Sequence, residues 1–312
     1  MKKIFVIFAA IFITACAKTP EKFYEKGNKL YASGNYYAAI ESYTKAIMLK
    51  NKFPQAITAR GMAYEALGQR KKAADEYEKS IYVDKSYLPA YNNLAAIHIE
   101  GGNYKDASYY LEEALKINPN YNYALYSLGL IKFINKDYRL ALYYFQKSVD
   151  SSPTDIAYYY LALAKEKLGE YEEAVEILAE LFRKDPDNHL IAYENGRIRY
   201  QMGDYSAIEY LTAALQKAQK PEYYYYRAKV NFTLKDYAPA SEDILKAIEM
   251  DGWKNSEYLR LAGDIAAAYG NPASARSYYD FAYRIHKNLE LYKGDLQTLE
   301  PQKEVVKKRG RR

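Results

Sequence analysis

The chain holds one cysteine, one tryptophan and three histidines in 312 residues, and each scarcity closes off a class of protein. A single thiol, Cys16, rules out an intramolecular disulfide, so packing alone must hold the fold. His98, His189 and His286 stand far apart, without the spacing of a metal site. Neither a Gly-x-Ser-x-Gly elbow nor a phosphate-binding loop is present. The apolar run Ile4–Ile13 is too short to span a bilayer, which takes about 20 residues. Paired acids such as Glu112-Glu113 and Glu172-Glu173 read as solvated helix faces. These gaps predict no catalysis, no metal and no cofactor.

What is plentiful is tyrosine, 38 of them, and a recurring punctuation. A small residue falls at Gly27, Gly61, Ala95, Gly129, Ala162, Gly196, Ala228 and Gly263. An alanine follows each, at Ala39, Ala73, Ala107, Ala141, Ala174, Ala207, Ala240 and Ala275. A further position, usually small, falls at Ala46, Ser80, Ala114, Ser148, Leu181, Ala214, Ala247 and Ala282. Self-similarity at about 34 residues marks a helix–turn–helix solenoid, because each unit buries its apolar face only against its neighbours. The apolar residues keep a helical period, and Gly34, Gly68, Gly102 and Gly169 sit at turns, so the sequence predicts helix with no strand.

These residues resemble the tetratricopeptide repeat, with its large apolar residue, Leu-Gly, alanine, aromatic and late proline. The fourth copy shows the pattern in Leu125, Leu128-Gly129, Ala141, Phe145 and Pro153; the third shows it in Tyr91, Leu94-Ala95, Ala107, Leu111, Ala114 and Pro119. The first signature position is never tryptophan, the tyrosine that follows the glycine survives only at Tyr64, and the sixth copy is one residue short after Tyr205. The resemblance implies an all-α, right-handed superhelix of about eight repeats, at 20–53, 54–87, 88–121, 122–155, 155–188, 189–221, 221–254 and 256–289. Tyr292, Leu296 and Leu299 suggest a short capping helix over 290–300.

The ends carry a different message. Lys2-Lys3, the run Ile4–Ile13 and small residues after it have the layout of an export signal over residues 1–15. Ile13-Thr14-Ala15-Cys16 resembles a bacterial lipobox, which implies lipidation of Cys16, a short linker at 16–19 and a membrane anchor. Ala17 after the cysteine, with no aspartate there, implies the outer membrane, facing the periplasm. The net charge of +6 is concentrated at the ends, chiefly in Lys303, Lys307, Lys308, Arg309, Arg311 and Arg312. The basic tail 301–312 therefore reads as a disordered end or a contact for anionic lipid or wall polymer, and no nucleic-acid partner is expected.

With position 8 set at Gly27 and its equivalents, the first helix of a repeat carries two stripes. Positions 4, 7, 8 and 11 are expected to pack on the second helix. Positions 2, 5, 9 and 12 are expected to line a concave groove, where the resemblance implies peptide binding. From the fourth to the seventh copy the second stripe is rich in tyrosine. The groove candidates are Tyr123, Tyr126, Leu130, Phe133, Tyr159, Leu163, Tyr193, Arg197, Tyr200, Tyr225, Lys229 and Phe232. Tyr126, Tyr159, Tyr193 and Tyr225 form the proposed recognition ladder; packing between repeats is the competing explanation. Arg197, Lys229 and Arg260 are read as solvated charges, with pairing to a ligand carboxylate as the alternative. Chaperone-binding members of the family resemble one another in a Lys/Asn carboxylate clamp. Tyr24 and Pro89 stand at places where it needs basic residues, so that clamp is absent. The sequence thus points to a membrane-anchored scaffold or adaptor for envelope proteins. A structural spacer, its tail touching wall or lipid, is the alternative.

Overall fold

The computed structural model describes residues 19–285. Those residues form sixteen α-helices and no strand. Cys16, the export signal, the 290–300 segment and the basic tail lie outside the described residues.

The helices fall into two compact units, one ending at Ser152 and one starting at Pro153. In the first unit the helices are α1 (Pro20–Ala32), α2 (Tyr36–Leu49), α3 (Pro54–Ala66), α4 (Arg70–Val83), α5 (Leu88–Glu100), α6 (Tyr104–Ile117), α7 (Asn122–Ile134) and α8 (Tyr138–Ser151). In the second they are α9 (Asp155–Lys167), α10 (Tyr171–Lys184), α11 (His189–Gln201), α12 (Ala207–Lys217), α13 (Pro221–Thr233), α14 (Tyr237–Asp251), α15 (Ser256–Ala268) and α16 (Pro272–Ile285). Odd-numbered helices open a repeat and even-numbered helices close it.

Local chemistry sets the starts. Proline opens α1, α3 and α13, where its missing N–H is no loss and its fixed φ suits the first turn. The side chains of Thr19, Asn35, Asp137, Thr154, Asn188 and Asn255 accept hydrogen bonds from backbone N–H groups of the helices they precede. The turn inside every repeat needs a left-handed residue seven after the small one. Glycine supplies it six times; Lys136 and Lys235, each at φ +62°, supply it in the other two.

The recurrent small residue makes room for one large side chain of the second helix. A Cβ built on Gly129 would lie 2.6 Å from the ring of Phe145, and Gly27, Gly61 and Gly263 are closed in the same way by Tyr43, Tyr77 and Tyr279. Where the small residue is alanine, the facing residue is aliphatic, as in Ala95 with Leu111, Ala162 with Leu178 and Ala228 with Ile244. Glycine therefore goes with a ring and alanine with a branched chain. The sixth repeat is the exception, pairing Gly196 with Leu211. There the turn runs through residues 202–206 and α12 starts only at Ala207, whose carbonyl oxygen would sit 3.0 Å from a Cβ on Gly196.

The buried stripe of the first helices is wider than the sequence reading allowed. Positions 3 and 10 are buried as well, at Ala56 and Ala63, Ala124 and Ile131, and Tyr258 and Ile265. Within each unit they pack on the second helix of the preceding repeat: Ala124 and Ile131 join Ala107, Leu111 and Ala114, while Tyr258 and Ile265 join Ala240, Ile244 and Ala247. Position 11, expected to pack on the second helix, does meet it, but mostly half-buried and through polar or aromatic contacts: Lys165 pairs with Glu173, His98 stacks on Tyr110, and the buried Asn231 donates to Asp243. A first helix inside a unit thus has two packing neighbours, and its exposed stripe is narrower for it.

Two polar staples repeat at one register. Arg60 on α3 donates to Glu76 of its own repeat at 2.7 Å and to Thr44 of the preceding one at 3.0 Å. Arg227 on α13 does the same with Asp243 at 2.8 Å and Thr212 at 3.3 Å. Each guanidinium ties three helices together.

Candidate functional site

The groove candidates of the first unit all lie on α7. Tyr123 is the most open, at 63% exposed, with its ring 5.7 Å from that of Tyr121. Tyr126 and Leu130 are half-buried, and the Tyr126 ring lies 6.1 Å from Phe145. Phe133, also half-buried, meets Tyr138 edge-on at 5.4 Å across the turn into α8.

The second unit gathers the rest on α9, α11 and α13. Tyr159 is half-buried against the cluster of Ala162, Leu178 and Ile191, and its ring meets Tyr160 edge-on at 5.3 Å. It also lines a cleft of about 250 Å³ with Ile156, Asn188 and Leu190, at the starts of α9 and α11. Tyr193 stacks on Tyr223 at 4.5 Å and 24°, and meets Tyr226 edge-on at 5.7 Å. Tyr225 lies 4.8 Å from Tyr258 on α15. Tyr193 and Tyr225 therefore bridge the first helices of successive repeats while also packing on the core of their own, Tyr193 against Ala207, Leu211 and Ala214 and Tyr225 against the cluster of Ala228, Ala240 and Ile244. Burial drives the hydroxyls of Tyr159, Tyr193 and Tyr225 well above the ordinary phenol range, so they act as neutral donors.

The three cations behave differently from solvated charges. Arg197, with a side chain only 12% exposed, pairs with Glu166 at 3.1 Å and Glu194 at 2.7 Å. Its partners lie on α9 and on its own helix, so Arg197 ties adjacent repeats together. Lys229 sits over three rings, 4.9 Å from Tyr200, 5.2 Å from Tyr225 and 5.1 Å from Tyr226. Burial lowers the pKa of its amine, partly offset by the charge of Glu257. Arg260 is half-buried. A desolvated ammonium held among aromatic faces gains most from the ring quadrupoles, about 2 kcal/mol at the upper end.

Leu163, Tyr200 and Phe232 are half-buried beside these groups, Tyr200 edge-on to Tyr226 at 6.4 Å and Phe232 at 6.0 Å from Tyr237. Sequence reasoning missed Tyr223 and Tyr226. They fall outside the chosen stripe, yet the run Tyr223–Tyr226 covers more than half a helical turn and places rings on both flanks of it. The resulting surface is a stack of tyrosines with one embedded ammonium, suited to contacting peptide backbone and apolar side chains while donating hydrogen bonds. Among the described residues no group of three or more His, Cys, Asp or Glu is placed to hold a metal ion, and no helix is long and apolar enough to cross a membrane.

Comparison with known proteins agrees with this architecture. Family models described as TPR repeat and Tetratricopeptide repeat match residues 27–68, 54–87 and 159–207. A model described as anaphase-promoting complex, cyclosome, subunit 3 matches residues 100–181. The TPR repeat-containing protein MJ1428 of Methanocaldococcus jannaschii is 29% identical over 123 residues, which is 39% of this chain and 21% of that protein. The chain thus matches only about a fifth of that relative's length. The structure of the APC/C hetero-tetramer Cut9-Hcn1 superposes with a TM-score of 0.58 at 13% identity, over 93% of this chain and 57% of the other. YrrB, described as a TPR protein with an unusual peptide-binding site, gives 0.51 at 22% identity over 57% and 93%. Such likeness speaks to fold, and the fold is one that generally serves as a non-catalytic scaffold for protein–protein interaction. With eight helix pairs among its described residues, their small-residue crossings and these matches, the chain is a tetratricopeptide repeat protein.

Proposed function

We propose that this chain is an adaptor of the bacterial cell envelope, anchored by lipid on Cys16, that receives extended segments of partner proteins on the tyrosine-lined stripe of α9, α11 and α13. The observation that carries the reading is the stripe itself: Tyr200 and Tyr225 border Lys229, Tyr193 stacks on Tyr223 beside them, and all three are held by their neighbours before any partner arrives. Tyrosine offers a large contact area for little rotamer entropy, and a surface already locked by stacking avoids most of the ordering cost of binding. The peptide-binding site named for YrrB is a precedent for this use of the fold.

The anchor rests on the lipobox-like Ile13-Thr14-Ala15-Cys16 behind a short apolar run. A diacyl or triacyl anchor holds without further contacts, which leaves the repeats free to recruit partners. The outer membrane, facing the periplasm, is the expected destination. Cys16→Ser should release the protein from the membrane fraction or leave an uncleaved precursor; unchanged fractionation and electrophoretic mobility would reject the anchor. Affinity capture of the mature protein from its native envelope, read by mass spectrometry, tests the adaptor. Recovery of defined proteins supports it. Recovery of wall fragments alone, lost when the basic residues 307–312 are neutralised, supports the spacer reading instead.

A further inference from the structure

The first unit contains a cavity of about 510 Å³ that the tyrosine stripe does not use. Tyr31, Met62, Glu65, Arg70, Asn93 and Glu100 line it, drawn from three successive repeats. Tyr77 supports it from behind. Its ring is fully buried beneath Gly61, and its hydroxyl donates to Glu65 Oε2 at 2.6 Å. Burial, reinforced by that bond and the charge of Glu65, pushes the Tyr77 phenol well above its ordinary range, so it remains a donor.

The Glu65 carboxylate is thereby held in one orientation, yet among the described residues no lysine or arginine pairs with it. Arg70, the one cation among the lining residues, is already engaged with Glu100 at 2.7 Å. The lining therefore carries one uncompensated negative charge, fixed from behind, next to an aromatic ring and a side-chain amide. A pocket of a few hundred cubic ångströms with a few placed polar groups is the usual form of a ligand subsite. A carboxylate with a neighbouring amide acceptor suits a planar fork of donors better than a point charge. A guanidinium also stacks on a phenol face and is less strongly hydrated than an ammonium.

We infer that this cavity is a subsite for an arginine side chain of a bound partner segment, donating to Glu65 and Asn93 and lying against the ring of Tyr31. The inference rests on the reading of the chain as a peptide-binding scaffold, but it assigns a contact on residues other than the tyrosine stripe.

Met62 reports on the site, because it lines the cavity and the chain has only five methionines. The full chain carrying ¹³C-methyl methionine would be titrated with N-acetyl-arginine amide and, separately, with its neutral isostere N-acetyl-citrulline amide. Met62→Leu assigns the resonance. The expected result is a saturable shift of the Met62 methyl with arginine amide, at least tenfold weaker with citrulline amide and in Glu65→Gln. That variant keeps an acceptor for Tyr77 while removing the charge. The methyls of Met202 and Met250, which lie in the second unit, should not move, and an unchanged far-ultraviolet dichroism spectrum and thermal midpoint in Glu65→Gln show that the variant folds. Equal response to the two amides, or no response at Met62, overturns the subsite without recourse to any variant. Such a failure, with partner cross-linking through Tyr200 intact, rejects the arginine subsite alone. Loss of that cross-linking with the Met62 response intact rejects the tyrosine stripe alone.

Discussion

Replacing Gly129 by alanine sets two effects of opposite sign against each other. On helix propensity alone, alanine in the middle of α7 should stabilise by about 1 kcal/mol. The structure places the new methyl 2.6 Å from both Cδ1 and Cε1 of Phe145, a fully buried ring. At that distance the ring or one of the two helices must shift, and overpacking of this kind costs about 1–3 kcal/mol. With the clash stronger than the propensity gain, Gly129→Ala should be destabilising by about 1 kcal/mol net. The sign should reverse when Phe145 is first changed to leucine, which reproduces the Ala95–Leu111 and Ala162–Leu178 pairings the chain already uses. In that background Gly129→Ala should be neutral or stabilising, giving a coupling of about 1–2 kcal/mol between the two sites. Urea denaturation of the four proteins, followed by far-ultraviolet dichroism, measures it; matched m-values would confirm that the same cooperative unit is compared. A Gly129→Ala protein more stable than wild type with Phe145 in place would refute the account of how the helices cross.

Lys136 takes the left-handed place that glycine fills in six other repeats, so Lys136→Gly should raise stability by about 1 kcal/mol, seen as a higher thermal midpoint. Tyr193→Ala removes a stacked and an edge-on partner and should cost about 2–3 kcal/mol, whereas Tyr200→Ala, with a single edge-on ring contact, Lys229 and the cluster of Ala207, Leu211 and Val230, should cost about 1–2 kcal/mol. Equal midpoint losses would mean that the stripe is no more than packing. Burial alone would raise the pKa of Glu166, but Arg197 and Lys167 outweigh it and hold the carboxyl below its ordinary value. A depressed folded pKa gives stability that is present above the unfolded value near 4.5 and lost as pH falls through the folded one. Glu166→Gln should therefore flatten the acid limb of a pH–stability curve below about pH 4.5, and an unchanged limb would contradict the pairing.

The fold was legible because its period is written in small residues. Gly129 and Ala95 recur where two helices touch, and that constraint acts within about sixteen residues of chain, close enough to show as a pattern. The logic of ring opposite glycine and branched chain opposite alanine was equally present in the sequence, in Phe145 and Leu111, and needed only the contact to be seen. Packing between repeats was harder. Ala56 and Ala63 look like ordinary helix formers until the preceding repeat is laid beside them, and that second neighbour is why the core stripe proved wider than a single amphipathic period suggests. Charge pairing was hardest. Arg197 finds Glu166 thirty-one residues away, a partnership no local spacing announces, and the residue taken as a solvated charge is a buried tie between repeats. The same holds for the Glu65 cavity, which exists only once three repeats are stacked.

A photoreactive p-benzoylphenylalanine placed at Tyr200, irradiated in intact cells, tests the central claim most directly. Tyr200 borders Lys229 on the proposed recognition stripe, while Tyr82, 84% exposed near the end of α4, supplies a control of greater exposure. The account predicts discrete cross-linked protein partners from position 200 that are absent from position 82. Cross-linking that is absent at 200, or that yields the same products with the same efficiency at 82, would contradict it.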